Sequence, residues 1–198
     1  VSIVMAEPTA SRTQALDHFA PPPGPVKRFT VEEYHTLIEK GFFVDGDPYE
    51  LLEGWIVRKM TRNEPHDVAI DLAGEALRPR LPVGWRTRIQ SAITTADSEP
   101  EPDLAVVRGV ARDYLAHHPG PADIALVVEV AESSLDQDRQ WKARLYARAG
   151  IAAYWIVNLV DGLVEVHADP TGPGADPRYR QVRALAAGEA VTLLVEGR

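Results

Sequence analysis

Glu129 ends an uninterrupted apolar run, Ile124-Ala125-Leu126-Val127-Val128. Such a run, without polar alternation, reads as a central strand covered on both faces. An ionised carboxylate at its end is costly unless it is paired or bound to a cation. Asp103 opens a second apolar stretch, Leu104 to Val107, directly after Glu99-Pro100-Glu101-Pro102. Those prolines hold the chain extended and remove amide donors. If the two stretches are neighbouring strands, both carboxylates reach one end of a sheet. Glu50, at the start of an upstream hairpin, supplies a third. Carboxylates that converge repel one another unless a divalent cation neutralises them. That is the usual basis of a Mg²⁺ site that also takes up phosphate oxygens. Each residue alone also has an ordinary reading: Asp103 as a turn residue, Glu50 as a strand-edge charge, Glu129 in an ion pair.

A helix after Glu129 bears on the choice. Asp138, Lys142 and Tyr146 recur at i, i+4 and i+8 and share one face, while Trp141, Leu145 and Ala149 share another. A lysine aimed at a carboxylate–metal site orients water or stabilises phosphorane charge. The same spacing also describes a surface Asp138–Lys142 pair of about 0.3–0.5 kcal/mol, and spacing alone leaves both readings open.

Several elements must position these residues. Thr30-Val31-Glu32-Glu33 fits a capping box, and Lys40-Gly41 a helix end. Tyr49 to Leu52 and Trp55 to Lys59 flank the hairpin turn Glu53-Gly54. Asn63 caps a helix predicted to run to about Leu81, with Val68, Leu72, Ala76 and Leu77 as its inner stripe. Strands are predicted over Trp85–Thr94, Leu104–Val107, Ile124–Val130, Ala153–Val157, Val164–His167, Tyr179–Arg183 and Val191–Val195. A helix spans Leu135–Ala149, stopped by Gly150. This order of helices and strands predicts an α/β or α+β fold with a mixed sheet.

Composition narrows the classes. The 198 residues suffice for one domain. Residues 1–27, running into Pro21-Pro22-Pro23-Gly24-Pro25, read as a disordered Pro/Ala-rich leader, and 28–198 as a single domain. No stretch approaches the ~18 apolar residues of a spanning helix, and the first apolar run is too short for a signal peptide. The expectation is a cytoplasmic protein with no membrane partner. The absence of cysteine excludes disulfides, thiolate zinc sites, iron–sulfur clusters and a thiol nucleophile. Any metal must be held by oxygen and imidazole ligands, which favours Mg²⁺ or Mn²⁺. The net charge of −8 argues against a protein that coats nucleic acid electrostatically, although Arg58, Lys59 and Arg62, and Arg78, Arg80, Arg86 and Arg88, form local basic groups.

Phe29-Thr30-Val31-Glu32-Glu33-Tyr34 and Tyr49-Glu50-Leu51-Leu52-Glu53-Gly54 closely resemble the opening of the Uma2 family. The resemblance continues through His66, Glu99 to Leu104 and Val127 to Ser134. It ends with Asp138, Lys142, Tyr146-Ala147, Gly150-Ile151 and Tyr154-Trp155-Ile156-Val157, spanning about 29–168. It implies a restriction-endonuclease-like PD-(D/E)XK core and Mg²⁺-dependent cleavage of phosphodiesters. Carried over, Asp103 is the aspartate of the first motif, Glu129 the acidic residue of the second, and Glu50 completes the metal site. The motif lysine falls two residues after Glu129 in that superfamily, where this chain has Ala131. The resemblance moves its role to Lys142. Trp55 stands where members often have an acidic residue.

His66, Gln90 and Tyr146 are secondary candidates for substrate or phosphate contact. The leading expectation is a DNA endonuclease using Mg²⁺ or Mn²⁺, with Asp103, Glu129 and Lys142 catalytic and Glu50, Asp103 and Glu129 holding the metal. Its rivals are a non-catalytic binding or scaffold protein of the same fold, and a nuclease for RNA or for branched or single-stranded DNA. Double-strand cleavage commonly pairs two sites, so a homodimer is also expected.

Overall fold

The computed structural model describes residues 25–44, 46–60 and 62–196. The leader expected over 1–27 therefore lies, up to residue 24, outside the described residues. The first helix, α1 (Val31–Glu39), starts where the capping box requires. The Glu33 amide donates to Thr30 Oγ1 at 3.2 Å, and the Thr30 amide donates to Glu33 Oε2 at 2.9 Å. A hairpin of β1 (Tyr49–Leu52) and β2 (Trp55–Arg58) follows. Its turn residues Glu53 and Gly54 both have positive φ, +50° and +79°, the backbone of a tight turn that matches strand twist.

Gly54 is required twice over, because a Cβ there would stand 2.7 Å from the Arg28 Cβ and 3.0 Å from the Phe29 carbonyl oxygen. Gly54→Ala is expected to cost at least about 1–2 kcal/mol through strain and crowding. Thermal unfolding checks this: a variant that melts with the parent would show that the chain entering α1 yields freely.

The main sheet has six strands in the spatial order β3 (Trp85–Ile89), β4 (Leu104–Arg108), β5 (Ile124–Ala131), β6 (Ala153–Asn158), β7 (Leu163–Pro170) and β8 (Tyr179–Ala186). Only β5 and β6 are parallel; the other neighbours run antiparallel. The connection between the parallel pair has to cross a face of the sheet. It consists of α3 (Leu135–Gln137), a π turn (Asp138–Lys142) and α4 (Ala143–Ala149). The opposite face is covered by α2 (Glu64–Leu77), capped by Asn63.

All eight residues of β5 are buried, as the unalternating apolar run required. Ala105, Val107, Val127 and Ile156 pack with Leu145 and Tyr146 beneath α4. Leu104, Val106, Leu126 and Val128 pack with Ala73 and Leu77 of α2. Strand alternation thus sends Asp103 and Glu129 to the α4 side of the sheet.

Several boundaries differ from expectation. The strand from Trp85 stops at Ile89, because Gln90 adopts φ +46° and turns the chain away. The inner line of α2 is Ile70, Ala73, Gly74 and Leu77, whereas Val68 and Leu72 are exposed. Gly74 faces Ile89 and Leu104, where a Cβ would stand at ordinary contact distances of 3.7 and 3.8 Å. The helix itself ends at Leu77 and continues as a 3₁₀ turn over Arg78–Arg80. Val191–Val195 forms no strand; Leu193 and Val195 instead fold onto the α2-side core.

Candidate active site

The antiparallel register of β4 and β5 sets Leu104 opposite Val128. Asp103, one residue earlier, therefore faces the Glu129–Val130 end of β5. The Val130 amide donates to Asp103 Oδ2 at 2.8 Å, and the Gln90 amide to the Asp103 carbonyl at 3.0 Å. Glu50 reaches the same place from β1, its Oε2 accepting the Glu101 amide at 3.0 Å. The prolines around Glu99 and Glu101 leave that short segment few amides, and one of the two glutamate amides is spent on holding Glu50.

Lys142 enters from the π turn. Its Nζ lies 3.0 Å from Glu129 Oε1, 3.8 Å from Asp138 Oδ1 and 3.9 Å from Glu50 Oε1. Asp138 is fixed by the Ser134 hydroxyl, which donates to Oδ2 at 2.7 Å. The π turn is visible in the Ala143 amide, which reaches back to the Asp138 carbonyl. Such single turns with an extra residue occur frequently at functional sites. Tyr146 departs from expectation. It is fully buried, lies behind the cleft wall, and its hydroxyl donates to Glu129 Oε1 at 2.7 Å. It orients the carboxylate rather than reaching a phosphate.

One ammonium thus serves several buried carboxylates. Burial pushes Glu129 up to about 8; Lys142 opposes this, and Asp103, Asp138 and Glu50 add to it. Asp138 is raised mainly by burial as well. Burial pulls Lys142 down, but Glu129, Glu50 and Asp138 outweigh it and keep the ammonium protonated, well above the ordinary lysine range. The cluster remains short of positive charge after Lys142 has contributed its own.

These groups floor an open cleft of about 730 Å³. His66, in the first turn of α2, places Nε2 3.2 Å from Asp103 Oδ2, and this hydrogen bond raises its proton affinity. Gln90 lines the cleft, as do Arg58, Lys59 and Arg62, and Lys59 pairs with Glu101 at 2.6 Å. The structure therefore brings together Glu50, Asp103, Glu129, Lys142, His66 and Gln90. It adds Asp138 and Ser134, which had not been expected as site residues. The i,i+4 spacing of Asp138 and Lys142 was the available signal for the first; nothing local marked Ser134.

The donor set of carboxylates and imidazole suits a hard divalent cation. Among the described residues, no group of three or more such side chains is arranged to hold an ion as it stands. The Lys142 ammonium sits among these carboxylates.

A family described as "Uma2: Putative restriction endonuclease" matches residues 31–197. The chain belongs to the Uma2 family. A solved structure of similar fold is a "putative nuclease belonging to DUF820" from Anabaena variabilis ATCC 29413. It is 15% identical, with a TM-score of 0.63 over 85% of this chain and 90% of that one. At that identity the likeness shows a shared fold, a mixed sheet flanked by helices. No protein with a curated description matches. The Uma2 match starts within α1 and runs past β8, so it covers every element that contributes to the cleft. Among the described residues of this Uma2 protein, no helix is long and apolar enough to cross a membrane.

Proposed function

We propose that this Uma2 protein hydrolyses phosphodiester bonds in DNA with the help of Mg²⁺ or Mn²⁺. The observation that carries the reading is the cluster of Glu50, Asp103, Glu129 and Asp138 around Lys142 on the floor of an open cleft. A structural ion pair needs one carboxylate; this site gathers several at a sheet end that a substrate can reach. Glu50, Asp103 and Glu129 would hold the cation, which in such sites polarises a phosphoryl oxygen and acidifies bound water.

The protein's own groups do the rest. Tyr146 fixes Glu129, and the Val130 amide and His66 fix Asp103, so that carboxylate lone pairs are aimed before anything binds. Lys142 offers an ammonium that stays charged at neutral pH, positioned to stabilise negative charge developing on the phosphoryl oxygens. His66 presents a group that hydrogen-bonds to a metal-site carboxylate and also lines the cleft, where it can give a proton to a leaving oxygen. The non-catalytic reading has its own support, since Lys142 already neutralises part of the cluster.

Supercoiled plasmid separates the two. Wild type is expected to nick it in Mg²⁺ or Mn²⁺ and not in EDTA, while Asp103→Asn, which keeps an acceptor for Val130, is inactive. Failure of wild type to cut plasmid, single-stranded DNA and RNA in either metal would overturn the enzyme reading. Cutting of RNA or single strands alone would move the substrate but keep the site.

A further inference from the structure

β3 is the sheet's edge strand beside the cleft, and it carries Arg86 and Arg88 two residues apart. Arg88 stands opposite Ala105 and Arg86 opposite Val107, and both partners point to the α4 side. The two arginines therefore share the sheet face that bears Asp103 and Glu129. At about 3.3 Å per residue, Arg88 lies about 7 Å and Arg86 about 13 Å along the strand from the Gln90–Asp103 row. They form a line leading away from the candidate active site.

Neither has a counterion among the described residues. Arg108, Arg139, Arg144, Arg148 and Arg180 each pair with a carboxylate, but among the described residues Arg86 and Arg88 make no ion pair. Arg86 Nη1 and Arg88 Nε are buried without a hydrogen-bond partner. Among the described residues, the pair's one hydrogen bond from a side chain is Arg88 Nη2 to the Ala92 carbonyl at a long 3.5 Å. Tyr114 supports Arg88 from one side, its ring centroid 5.6 Å from Cζ. Burial, with Arg86 beside it, lowers the proton affinity of Arg88. In a chain of net charge −8, two adjacent guanidinium forks, each with a buried N–H left without an acceptor, are an unfilled requirement for anions.

We infer that Arg86 and Arg88 seat consecutive phosphodiesters of the nucleic-acid strand as it leaves the cleft along the β3 edge. Guanidinium forks suit phosphate oxygens, and such contacts fix position without reading sequence. This placement suits an acidic protein that meets a polyanion: the carboxylates gather around Lys142, and Arg86 and Arg88 add positive charge without a carboxylate partner along the strand's exit. The inference rests on the nuclease reading.

The test uses a short fluorescent duplex in Ca²⁺, with binding followed by anisotropy across a salt series. Arg86→Gln/Arg88→Gln is expected to lower the slope of log K against log salt by about 1.8 and to weaken low-salt binding at least about 10-fold. Arg180→Gln/Arg183→Gln, on β8 at the far edge of the sheet, removes the same charge and should change the slope by less than about half as much. The KM for nicking should rise in the β3 variant with kcat little altered. A β3 variant that binds like the β8 control overturns the arginine seat while leaving the nuclease reading intact. A wild type that neither binds nor cuts removes both. Should the β3 variant not fold, phenylglyoxal modification of wild type decides instead: duplex must protect Arg86 and Arg88, and unchanged labelling overturns the seat.

Discussion

Glutamine in place of Glu129 is expected to reduce plasmid nicking about 10²–10³-fold, the scale of losing a group that manages transition-state charge, without destabilising the fold. The amide oxygen still accepts from Tyr146 and Lys142, which stand 2.7 and 3.0 Å from Oε1. What disappears is a negative charge that the site holds at a cost. Glu129 has its affinity for a proton raised from 4.5 to about 8, chiefly by burial. The folded protein therefore binds more protons than the unfolded chain between those values. Stability of the metal-free protein should fall as pH rises through that window. Glu129→Gln should show a smaller fall, the remainder coming from Asp138 and His66, whose proton affinities are also raised, so melting at about pH 5.5 and about pH 8.5 in EDTA separates the two proteins. Nicking within 10-fold of wild type would show that Glu129 is a structural carboxylate. Equal pH dependence would mean that the buried charge is compensated by groups other than those surrounding it here.

Much of this arrangement was legible in the residues, for physical reasons that differ from element to element. Thr30 and Glu33 specify the start of α1 because capping is local chemistry. The Glu53-Gly54 turn is equally local, and β5 is legible because a strand buried on both faces cannot alternate. The meeting of Asp103 and Glu129 was legible only conditionally. It depends on β4 and β5 being neighbours in a register that sets Leu104 opposite Val128, and such pairing is a long-range property. The π turn over Asp138–Lys142 left no mark in sequence, since an extra residue in a helix is decided by what the two ends pack against. Through that turn Asp138, Lys142 and Tyr146 still reach one cluster, as their i, i+4 and i+8 spacing suggests. The inner face of α2 was not legible because the large apolar residues Val68 and Leu72 suggest one stripe, whereas the buried line runs through Ile70 and Gly74. Val191–Val195 has the composition of a strand, but it packs against α2 instead of pairing with the sheet.

Lys142→Met is expected to produce the second large effect, and it separates metal binding from catalysis. Methionine keeps an unbranched stem of similar volume but removes the ammonium that pairs with Glu129, Asp138 and Glu50. Breaking a buried pair from one side costs about 3–5 kcal/mol, which for a chain of this size lowers Tm by about 6–20 °C. The loss should be greatest at alkaline pH, where the carboxylates are ionised, and should shrink as they protonate. If the cluster is a cation site, Mg²⁺ should restore more of the variant's Tm than it adds to wild type, because the ion takes over the neutralising role of the ammonium. Restored stability without nicking would assign Lys142 to the chemistry. Restored stability with nicking would leave it a counterion that yields to the metal. A variant that Mg²⁺ does not stabilise would argue that the carboxylates are built around a lysine alone, and that the fold is used for binding rather than cleavage.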